Sequence, residues 1–459
     1  MSDTILAIDI GSTKICAIIA EIKDEGVQVL GHGVSKSRGV KKGAITNIEM
    51  ASKSIKKAIS NAKRIAGNNI TSAIVSISNA YAKSLNSTGI VNIAHKDISI
   101  KEINRVLQTA LYNAKIPNEY EVIHVLPYNF RVDDQGFVED PFGMNASRME
   151  VDANIIITQK SNLSNLKKAV RSAGIEIDNI VLSGYASTIA VMDRDEKELG
   201  AAIIDLGGQT SNLVVHVGNS IRYNDFLGVG SNHITNDLSM ALHTPLQVAE
   251  EVKIQYGDLS ETSNEVIEFP IIGEEEENRN DVSLEIVRSV IFARVEEALM
   301  ILDKLLEKST LKEQIGAGVI LTGGMTKLKG IRELAQSVFT SLPVRIAKPR
   351  ELEGLFGELR NPSYATVVGL LLYKAGEYTQ YEINFNQEML HSKTFTRTDN
   401  NLEDIKLEHT QQEPQTETLL SEEEKSEVET TVIFDDLPNS NAQKNNPIER
   451  FFNWTKQLF

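Results

Sequence analysis

The sequence predicts an α/β fold with two related lobes, an inserted α+β subdomain and a polar C-terminal tail. The main observation is a strand–turn–strand pattern that occurs twice, as ILAIDIGSTKICAIIAE (residues 5–21) and AAIIDLGGQTSNLVVHV (residues 201–217). Apolar strands and amphipathic helices alternate around both copies. The chain has 459 residues, of which 41% are hydrophobic, and this is enough for two or more domains with their own cores.

Both turns carry an acid at the end of the first strand and a glycine two residues later. Glycines in such a turn let backbone N–H groups converge on an anion, and the carboxylate can hold a hydrated Mg²⁺ ion. One such turn also fits an ordinary β-hairpin. Two in register predict a clamp on the phosphate chain of a nucleotide, with a lysine as an added point charge. The residues are Asp9, Gly11, Ser12, Thr13 and Lys14 in the first copy and Asp205, Gly207, Gly208, Gln209 and Thr210 in the second.

Composition and charge exclude several classes of protein. The net charge of −16 argues against nonspecific binding of nucleic acid. A single cysteine, Cys16, cannot form an intrachain disulfide and fits a reducing cytosol. The first residues, MSDTILAIDI, lack the basic start of a signal peptide, and no apolar run reaches the roughly 18 residues of a membrane span.

The region between the two hairpins is predicted to complete the first lobe. Apolar residues at helical spacing predict a helix over residues 48–66. Residues 81–161 have the order strand, helix, strand, strand and indicate a compact insertion, with one continuous domain as the alternative. A helix over residues 184–193 has small residues on its first turns, which permit close packing beside a cleft and equally fit an ordinary packed helix.

Two features after the second hairpin are candidate parts of a ligand site. Glu250 and Lys253 lie three residues apart on one helical face, a spacing that also fits a solvated surface pair. The segment GVILTGGMT (residues 318–326) predicts a strand that ends in a Gly-Gly turn. There Gly323, Gly324 and Met325 could receive a flat ring against the backbone, or the turn could be a generic strand-to-helix crossover.

The C-terminal tail differs in composition from the rest of the chain. Residues 379–446 contain 15 Asp and Glu against 5 Lys and Arg, which predicts a disordered acidic linker. The sequence NPIERFFNWTKQLF then predicts a short helix with Asn446 as its N-cap and Pro447 in the first turn.

At about 100° per residue, this terminal helix has an apolar face flanked by basic residues. The pattern predicts an interfacial helix on an anionic membrane surface, and the alternative is docking back on a core. The membrane-binding residues would be Ile448, Phe451, Phe452, Trp454, Leu458 and Phe459, with Arg450 and Lys456. One short copy binds reversibly, whereas an array on a filament gains avidity of about 10²–10⁴.

Five features in one order resemble the actin, Hsp70 and sugar-kinase ATPase superfamily. They are Asp9–Lys14, Gly184–Ser187, Asp205–Thr210, Gly323–Met325 and Ala365–Gly369. Within it the chain resembles the FtsA family of actin-like bacterial cell-division proteins. The more specific resemblances are HVLPYNFRVDDQGFVEDPFGMNASRMEVDANIIIT, VGSNHITNDLSMALHTPLQVAEEVK, GAGVILTGGMTKLKGIRELAQSVFTSLPVRIAKP and the extreme C-terminus.

This resemblance implies an actin-like two-lobed fold and the cofactors ATP and Mg²⁺. By this resemblance the two hairpins are the phosphate motifs, with Asp205 and Asp9 near the metal. Residues 323–325 correspond to the adenosine motif, and Glu250 and Lys253 lie on the helix beside adenine and ribose. The implied domains are a first lobe core (1–80 and 162–198), the inserted subdomain (81–161), a second lobe core (199–226 and 309–378), its small subdomain (227–308), the linker (379–446) and the membrane helix (447–459).

The resemblance also implies partners and a location. The family tethers FtsZ filaments to the cytoplasmic face of the cell membrane at the division site, associates with itself and recruits later division proteins. The small subdomain would bind the acidic and apolar FtsZ C-terminal peptide, with Arg294 and then Arg288 as the expected cationic contacts. Two alternatives of the same superfamily are a PilM-like scaffold and a sugar or carboxylate kinase, neither of which accounts for both the insertion and the terminal helix.

Two departures bear on enzymatic activity. Gln209 stands where the superfamily more often has a third glycine, and its Cβ could narrow the second phosphate turn. Residues 182–185, at the start of the second hinge helix, contain no Glu or Gln to orient a water molecule for attack on the γ-phosphate. No catalytic residue is therefore assigned, and we expect tight binding of ATP with slow hydrolysis.

Overall fold

The computed structural model describes residues 3–391 except 24–25, 68–69, 95–96, 261–264 and 271–278. The predicted membrane helix, the linker beyond residue 391 and most of the acidic loop at 271–281 lie outside the described residues. In the part that is described, no helix is both long and apolar enough to cross a membrane.

The first lobe is built on a five-stranded sheet with the order β3-β2-β1-β6-β11. Its strands are β1 (Asp3–Ile10), β2 (Lys14–Lys23), β3 (Gly26–Lys36), β6 (Ser72–Ile77) and β11 (Glu176–Leu182), and a small hairpin is formed by β4 (Val40–Lys41) and β5 (Ala44–Ile45). Helices α1 (Ile48–Ala66) and α3 (Lys160–Ser172) pack beside it. Helix α1 has the predicted bounds because Asn47 caps its first turn and Gly67, at φ 71°, ends it.

The inserted subdomain has a sheet of its own, in the order β7-β10-β8-β9. The strands are β7 (Ala82–Asn92), β8 (Tyr120–Val132), β9 (Gln135–Val138) and β10 (Arg148–Gln159), and helix α2 (Ile100–Asn113) covers one face. Its buried apolar residues form a core cluster separate from that of the first lobe. Helix α2 begins with a capping box, in which the Ser99 side chain accepts the backbone N–H of Glu102 and the Glu102 side chain accepts the backbone N–H of Ser99.

The second lobe repeats the first. Its sheet has the order β14-β13-β12-β17-β18, from β12 (Ala201–Leu206), β13 (Ser211–Val217), β14 (Ser220–Leu227), β17 (Val319–Thr322) and β18 (Val344–Ile346). In both sheets the first three strands are antiparallel and the last two join in parallel. Two sheets with one topology, each centred on a strand whose penultimate residue is an Asp, confirm the predicted pair of related lobes.

Four helices and a hairpin complete the second lobe. They are α6 (Ser231–Ala241), α7 (Leu246–Tyr256), α8 (Leu284–Lys308), α9 (Ile331–Val338) and the pair β15 (Val266–Pro270) and β16 (Arg279–Ser283). Helix α9 is preceded by Gly330 at φ 77°, and the Gly-Gly turn leads into a short 3-10 helix (Gly324–Lys327).

Two helices connect the lobes and pack against each other: α4 (Ser183–Val191) and α10 (Ala365–Lys374), with the short α5 (Arg194–Leu199) following α4. Their closest approach is at Gly369, where an added Cβ would lie 1.7 Å from the carbonyl oxygen of Ala186. Ala186 and Ser187, two of the small residues on the first turns of α4, therefore lie at the contact with α10.

Residues 379–391 contradict one part of the sequence prediction. They were expected to begin the disordered linker because they are polar, but Tyr381, Glu382 and Ile383 are buried. The backbone of Ile383 exchanges two hydrogen bonds with Val125 of β8, at 2.9 and 3.0 Å. A linker in this chain can therefore begin no earlier than residue 392.

Candidate functional site

A cavity of about 380 Å³ lies where the β1–β2 turn of the first lobe meets the β12–β13 turn of the second. All fifteen residues that the sequence singled out for a nucleotide line this one cavity. They are Asp9, Gly11, Ser12, Thr13, Lys14, Asp205, Gly207, Gly208, Gln209, Thr210, Glu250, Lys253, Gly323, Gly324 and Met325.

The two turns have the same hydrogen bonding. The Gly11 N–H donates to the Lys14 carbonyl at 3.1 Å, and the Gly207 N–H donates to the Thr210 carbonyl at 3.0 Å. The turns also touch each other, because a Cβ on Gly208 would lie 2.1 Å from Cγ2 of Thr13. A side chain at position 208 would therefore require the Thr13 side chain to move.

Backbone N–H groups at the amino terminus of α6 bind the β12–β13 turn. The N–H groups of Ser231 and Asn232 donate to the carbonyls of Gly207 and Gly208 at 3.0 and 2.7 Å. Because these carbonyl oxygens are occupied on the α6 side, the second turn is fixed by backbone bonds within its own lobe.

Two carboxylates face the cleft from the two lobes. Asp9 accepts a hydrogen bond from the Ser76 hydroxyl at 2.9 Å, and burial raises the pKa of Asp9 to about 6. Asp205 accepts from the Ser187 hydroxyl at 2.8 Å and from the Thr366 hydroxyl at 3.4 Å, and burial raises the pKa of Asp205 as well. A cation between them would offset the cost of burying both charges.

This donor set fits Mg²⁺ better than a metal held entirely by protein. Within the described ranges, no group of three or more His, Cys, Asp or Glu could hold a metal ion. One or two carboxylates that face a polar cavity match the preference of Mg²⁺ for a few protein oxygens, phosphate and water. Asp205 and Asp9 are the residues that would hold it.

Lys14 and Lys327 both line the cavity. Burial lowers the pKa of Lys14 to about 8, and its Nζ lies 3.3 Å from the centre of the Tyr364 ring. Lys327, in the 3-10 helix after the Gly-Gly turn, was not singled out from the sequence, since it is one of many lysines without a motif.

Lys253, which also lines the cavity, is a buried residue of α7 with 6% exposure. Its Nζ donates to Glu250 at 2.6 Å, to Thr235 at 2.9 Å and to the Ser231 carbonyl at 3.3 Å. The alternative of a solvated surface pair is therefore wrong for Lys253, because a lysine so deeply buried must be paired.

Gly323 is required by its backbone and its neighbours. It has φ 92°, and a Cβ there would lie 2.4 Å from Oδ1 of Asp205. Gly324 is less constrained, because its nearest neighbour would be the Ser363 hydroxyl at 3.5 Å. The Gly-Gly turn is thus a tight contact with the second phosphate turn, not only a generic crossover.

The side chain of Gln209 bonds to the first lobe. Its Oε1 accepts the backbone N–H of Lys42 at 2.8 Å, while the neighbouring Gly43 N–H donates to the Ser12 hydroxyl at 3.0 Å. Lys42 and Gly43 form the two-residue tip of the β4–β5 hairpin, with φ 47° and 78°. This tip bonds to both phosphate turns, an arrangement that the sequence does not reveal because the hairpin has no motif.

The start of α4 contains Ser183, Gly184 and Tyr185, in agreement with the absence of an acid there. Two amides supplied by other elements lie close by. Oδ1 of Asn79 accepts from the Gly184 N–H at 2.9 Å, and Nδ2 of Asn212 lies 3.4 Å from the Ser183 hydroxyl. Ser183 and Asn212 both line the cavity.

The two arginines expected to bind a peptide lie on α8, away from the cavity. Arg294 is already paired, with its Nε 2.5 Å from Oδ2 of Asp237 on α6 and its Nη1 bonded to Glu297. Its side chain is 22% exposed. Arg288 is partly buried and lies six residues earlier on the same helix. The residues predicted to bind a membrane, at 448–459, lie outside the described ranges.

Two related lobes with matched β1–β2 and β12–β13 turns, joined by two packed helices around a cleft, define an actin-like fold. A solved PilM–PilN type IV pilus biogenesis complex shares this fold, with a TM-score of 0.57 at 16% identity over 81% of this chain and 98% of that one. The match at this identity establishes the fold alone.

Family comparisons are more specific. Residues 202–369 match the model of cell division protein FtsA, and residues 79–157 match the SHS2 domain inserted in FtsA. The cell division protein FtsA of Helicobacter pylori strain J99 is 42% identical over 412 residues, covering 83% of both chains. That of Pseudomonas aeruginosa is 37% identical over 373 residues, covering 80% of this chain and 88% of the relative. The chain belongs to the FtsA family, and its actin-like fold with the FtsA-type insertion is confirmed.

Proposed function

We propose that this cell-division protein binds ATP and Mg²⁺ in the cleft and uses the bound nucleotide to control its assembly more than to drive rapid turnover. The observation that carries the proposal is the convergence of fifteen sequence-selected residues on one cavity. The backbone turns would hold the phosphates, and Asp205 and Asp9 would hold the metal. Glu250 and Lys253 of α7, together with the Gly-Gly turn, would hold the nucleoside. When bound, Mg²⁺ would neutralise phosphate charge.

We expect slow hydrolysis because α4 itself supplies no acid or amide, and the Asn212 amide that lines the cavity comes from β13 and has its Nδ2 3.4 Å from the Ser183 hydroxyl. The start of α4 offers a hydroxyl where fast relatives in the superfamily place an acid or amide able to orient water. A single-turnover measurement of phosphate release tests this. A rate as fast as that of rapid actin-like ATPases would contradict the proposal, and Ser183→Gln is expected to raise the rate.

We further propose that the protein tethers FtsZ filaments to the cytoplasmic face of the cell membrane at the division site. The small subdomain at residues 227–308 would bind the FtsZ C-terminal peptide, with the α8 arginines as contacts. Filaments of the protein would array the terminal helices and recruit later division proteins. Family membership and the aromatic, basic pattern of residues 447–459 support this assignment.

Sedimentation with anionic liposomes tests the tether. The full chain with ATP is expected to sediment with the liposomes, and a chain that lacks residues 447–459 is expected to stay in solution. If neither protein sediments, the tethering role is wrong. The same outcome would favour a PilM-like scaffold, which would work through protein partners alone.

A further inference from the structure

Glu382 occupies an unusual position for a residue in a polar C-terminal segment. It is fully buried, and each of three surrounding elements supplies one of its hydrogen-bond donors. The donors are His124 Nδ1 of β8 at 2.7 Å, the Tyr185 hydroxyl of α4 at 2.8 Å and the Tyr373 hydroxyl of α10 at 2.6 Å. We call residues 379–391 the C-terminal strap.

The donors around Glu382 are themselves fixed. His124 Nε2 accepts the N–H of Leu182, the last residue before α4, at 3.1 Å, so Nδ1 carries the proton that Glu382 accepts. The Tyr185 hydroxyl accepts the Thr379 N–H at 2.7 Å and is thereby oriented to donate to Glu382. Burial and the Glu382 charge raise the pKa of Tyr185 and of Tyr373, which keeps both hydroxyls protonated as donors.

The same two helices reach the proposed metal ligand. On α4, Ser187 lies two residues after Tyr185 and donates to Asp205 at 2.8 Å. On α10, Thr366 lies seven residues before Tyr373 and contacts both Ser187, at 2.9 Å, and Asp205, at 3.4 Å. Each hinge helix therefore holds Glu382 of the strap through one side chain and Asp205 of the cleft through another.

We propose that Glu382 is a positioning residue for the nucleotide site, and that docking of the strap sets the α4–α10 pair so that Asp205 is oriented toward Mg²⁺. The inference rests on the proposed binding of nucleotide in the cleft. Because coupling between two sites is reciprocal, bound ATP and Mg²⁺ must stabilise the docked strap by the same factor by which the strap tightens nucleotide. The chain continues from the strap into residues 392–459, so a pull on this tail would act on the nucleotide site.

The test compares the full-length wild type with Glu382→Gln, Tyr373→Phe and the control Glu388→Gln. Glu388 lies in the same strap but is exposed and bonds to Asn384, not to the hinge helices. Two quantities are measured: hydrogen exchange of the strap amides with and without ATP and Mg²⁺, and the affinity for ATP in Mg²⁺ and in EDTA. Tyr373→Phe removes one hydroxyl and keeps the ring, so it tests the idea even if Glu382→Gln does not fold.

In the wild type, ATP with Mg²⁺ is expected to slow exchange at Ile383 by roughly 5-fold or more, the lower end of allosteric coupling. Tyr373→Phe and Glu382→Gln should weaken ATP binding in Mg²⁺ and change it little in EDTA, and Glu388→Gln should match the wild type. A purely structural role would weaken binding equally in both media, which would overturn the inference. So would a wild type that binds ATP without any change in strap exchange. A wild type that binds no ATP would instead overturn the proposed function itself, and the inference with it.

Discussion

Gly369→Ala tests whether the contact between the two hinge helices supports the cleft. The new methyl group would lie 1.7 Å from the Ala186 carbonyl oxygen and 2.4 Å from its carbonyl carbon. Contact between heavy atoms is favourable near 3.5–4.0 Å, so α4 and α10 must move apart by on the order of 1.5 Å or more. Backbone atoms cannot rotate away as a side chain can, and the cost should reach the upper end of overpacking, about 3 kcal/mol.

The separation should also weaken the side-chain bonds that cross the helix pair. Ser187 and Thr366 lie 2.9 Å apart and both contact Asp205. We therefore expect Gly369→Ala to lower the stability of the protein and to reduce the benefit of Mg²⁺ for ATP binding. Loss of stability alone would show that the packing is structural only.

The assay is urea unfolding followed by far-UV circular dichroism, because the one tryptophan, Trp454, lies in the C-terminal tail, together with ATP binding in Mg²⁺ and in EDTA. At an m-value of about 3 kcal/mol/M, a cost of about 3 kcal/mol lowers the midpoint by about 1 M. Gly136→Ala is the matched control, because a Cβ there would meet no atom within 4 Å. If Gly369→Ala unfolds at the wild-type midpoint, the contact is softer than the geometry indicates and the reasoning is refuted.

Three further predictions concern the cleft and the partner surface. Gln209→Gly removes the hydrogen bond to the Lys42 N–H, which contributes about 0.5–1.5 kcal/mol. Release of a fluorescent ATP analogue, measured by stopped flow, should therefore become about 2–10-fold faster. An unchanged rate would mean that the hairpin tip does not retain nucleotide. The pKa of Asp9 is raised from 3.8 to about 6, so the folded state binds the extra proton and stability should fall by up to about 3 kcal/mol as pH rises from 4 to 6. Asp9→Asn should lack this fall in urea titrations across that range, and an identical pH profile would contradict the assignment. Arg294→Glu should abolish binding of an FtsZ C-terminal peptide and spare ATP binding. The new glutamate would also lie next to Asp237, the present ion-pair partner of Arg294, and repulsion between the two carboxylates should lower stability. Adding Asp237→Arg should restore stability but not peptide binding, whereas unchanged peptide affinity in Arg294→Glu would show that the peptide site lies elsewhere.

The cleft could be predicted because its chemistry is local in the sequence. Each predicted phosphate turn combines an acid, glycine and two flanking strands within 17 consecutive residues, and the pattern occurs twice. Gly323 follows the same logic, since its φ of 92° and its contact with Asp205 allow no side chain. Duplication then turned two weak local patterns into one strong prediction of a two-lobed fold.

Contacts between distant, polar residues could not be predicted. Glu382 lies 258 residues from His124, and in sequence it is one acid among many in a polar tail. The periodicity of residues 379–391 does not show that Glu382 is buried or that three side chains donate hydrogen bonds to it. The Gln209–Lys42 bond and the Arg294–Asp237 pair were missed for the same reason: each depends on which elements the fold brings together.

Titration of the chain with ATP, in Mg²⁺ and in EDTA, for the wild type and for Asp205→Ala, tests the central claim most directly. We predict one nucleotide bound per chain, with an affinity that falls when Mg²⁺ is removed, and an Asp205→Ala protein whose affinity is weak and insensitive to Mg²⁺. Absence of binding by a folded wild type, or an Asp205→Ala protein with unchanged Mg²⁺ dependence, would contradict the assignment of this cleft as the nucleotide site.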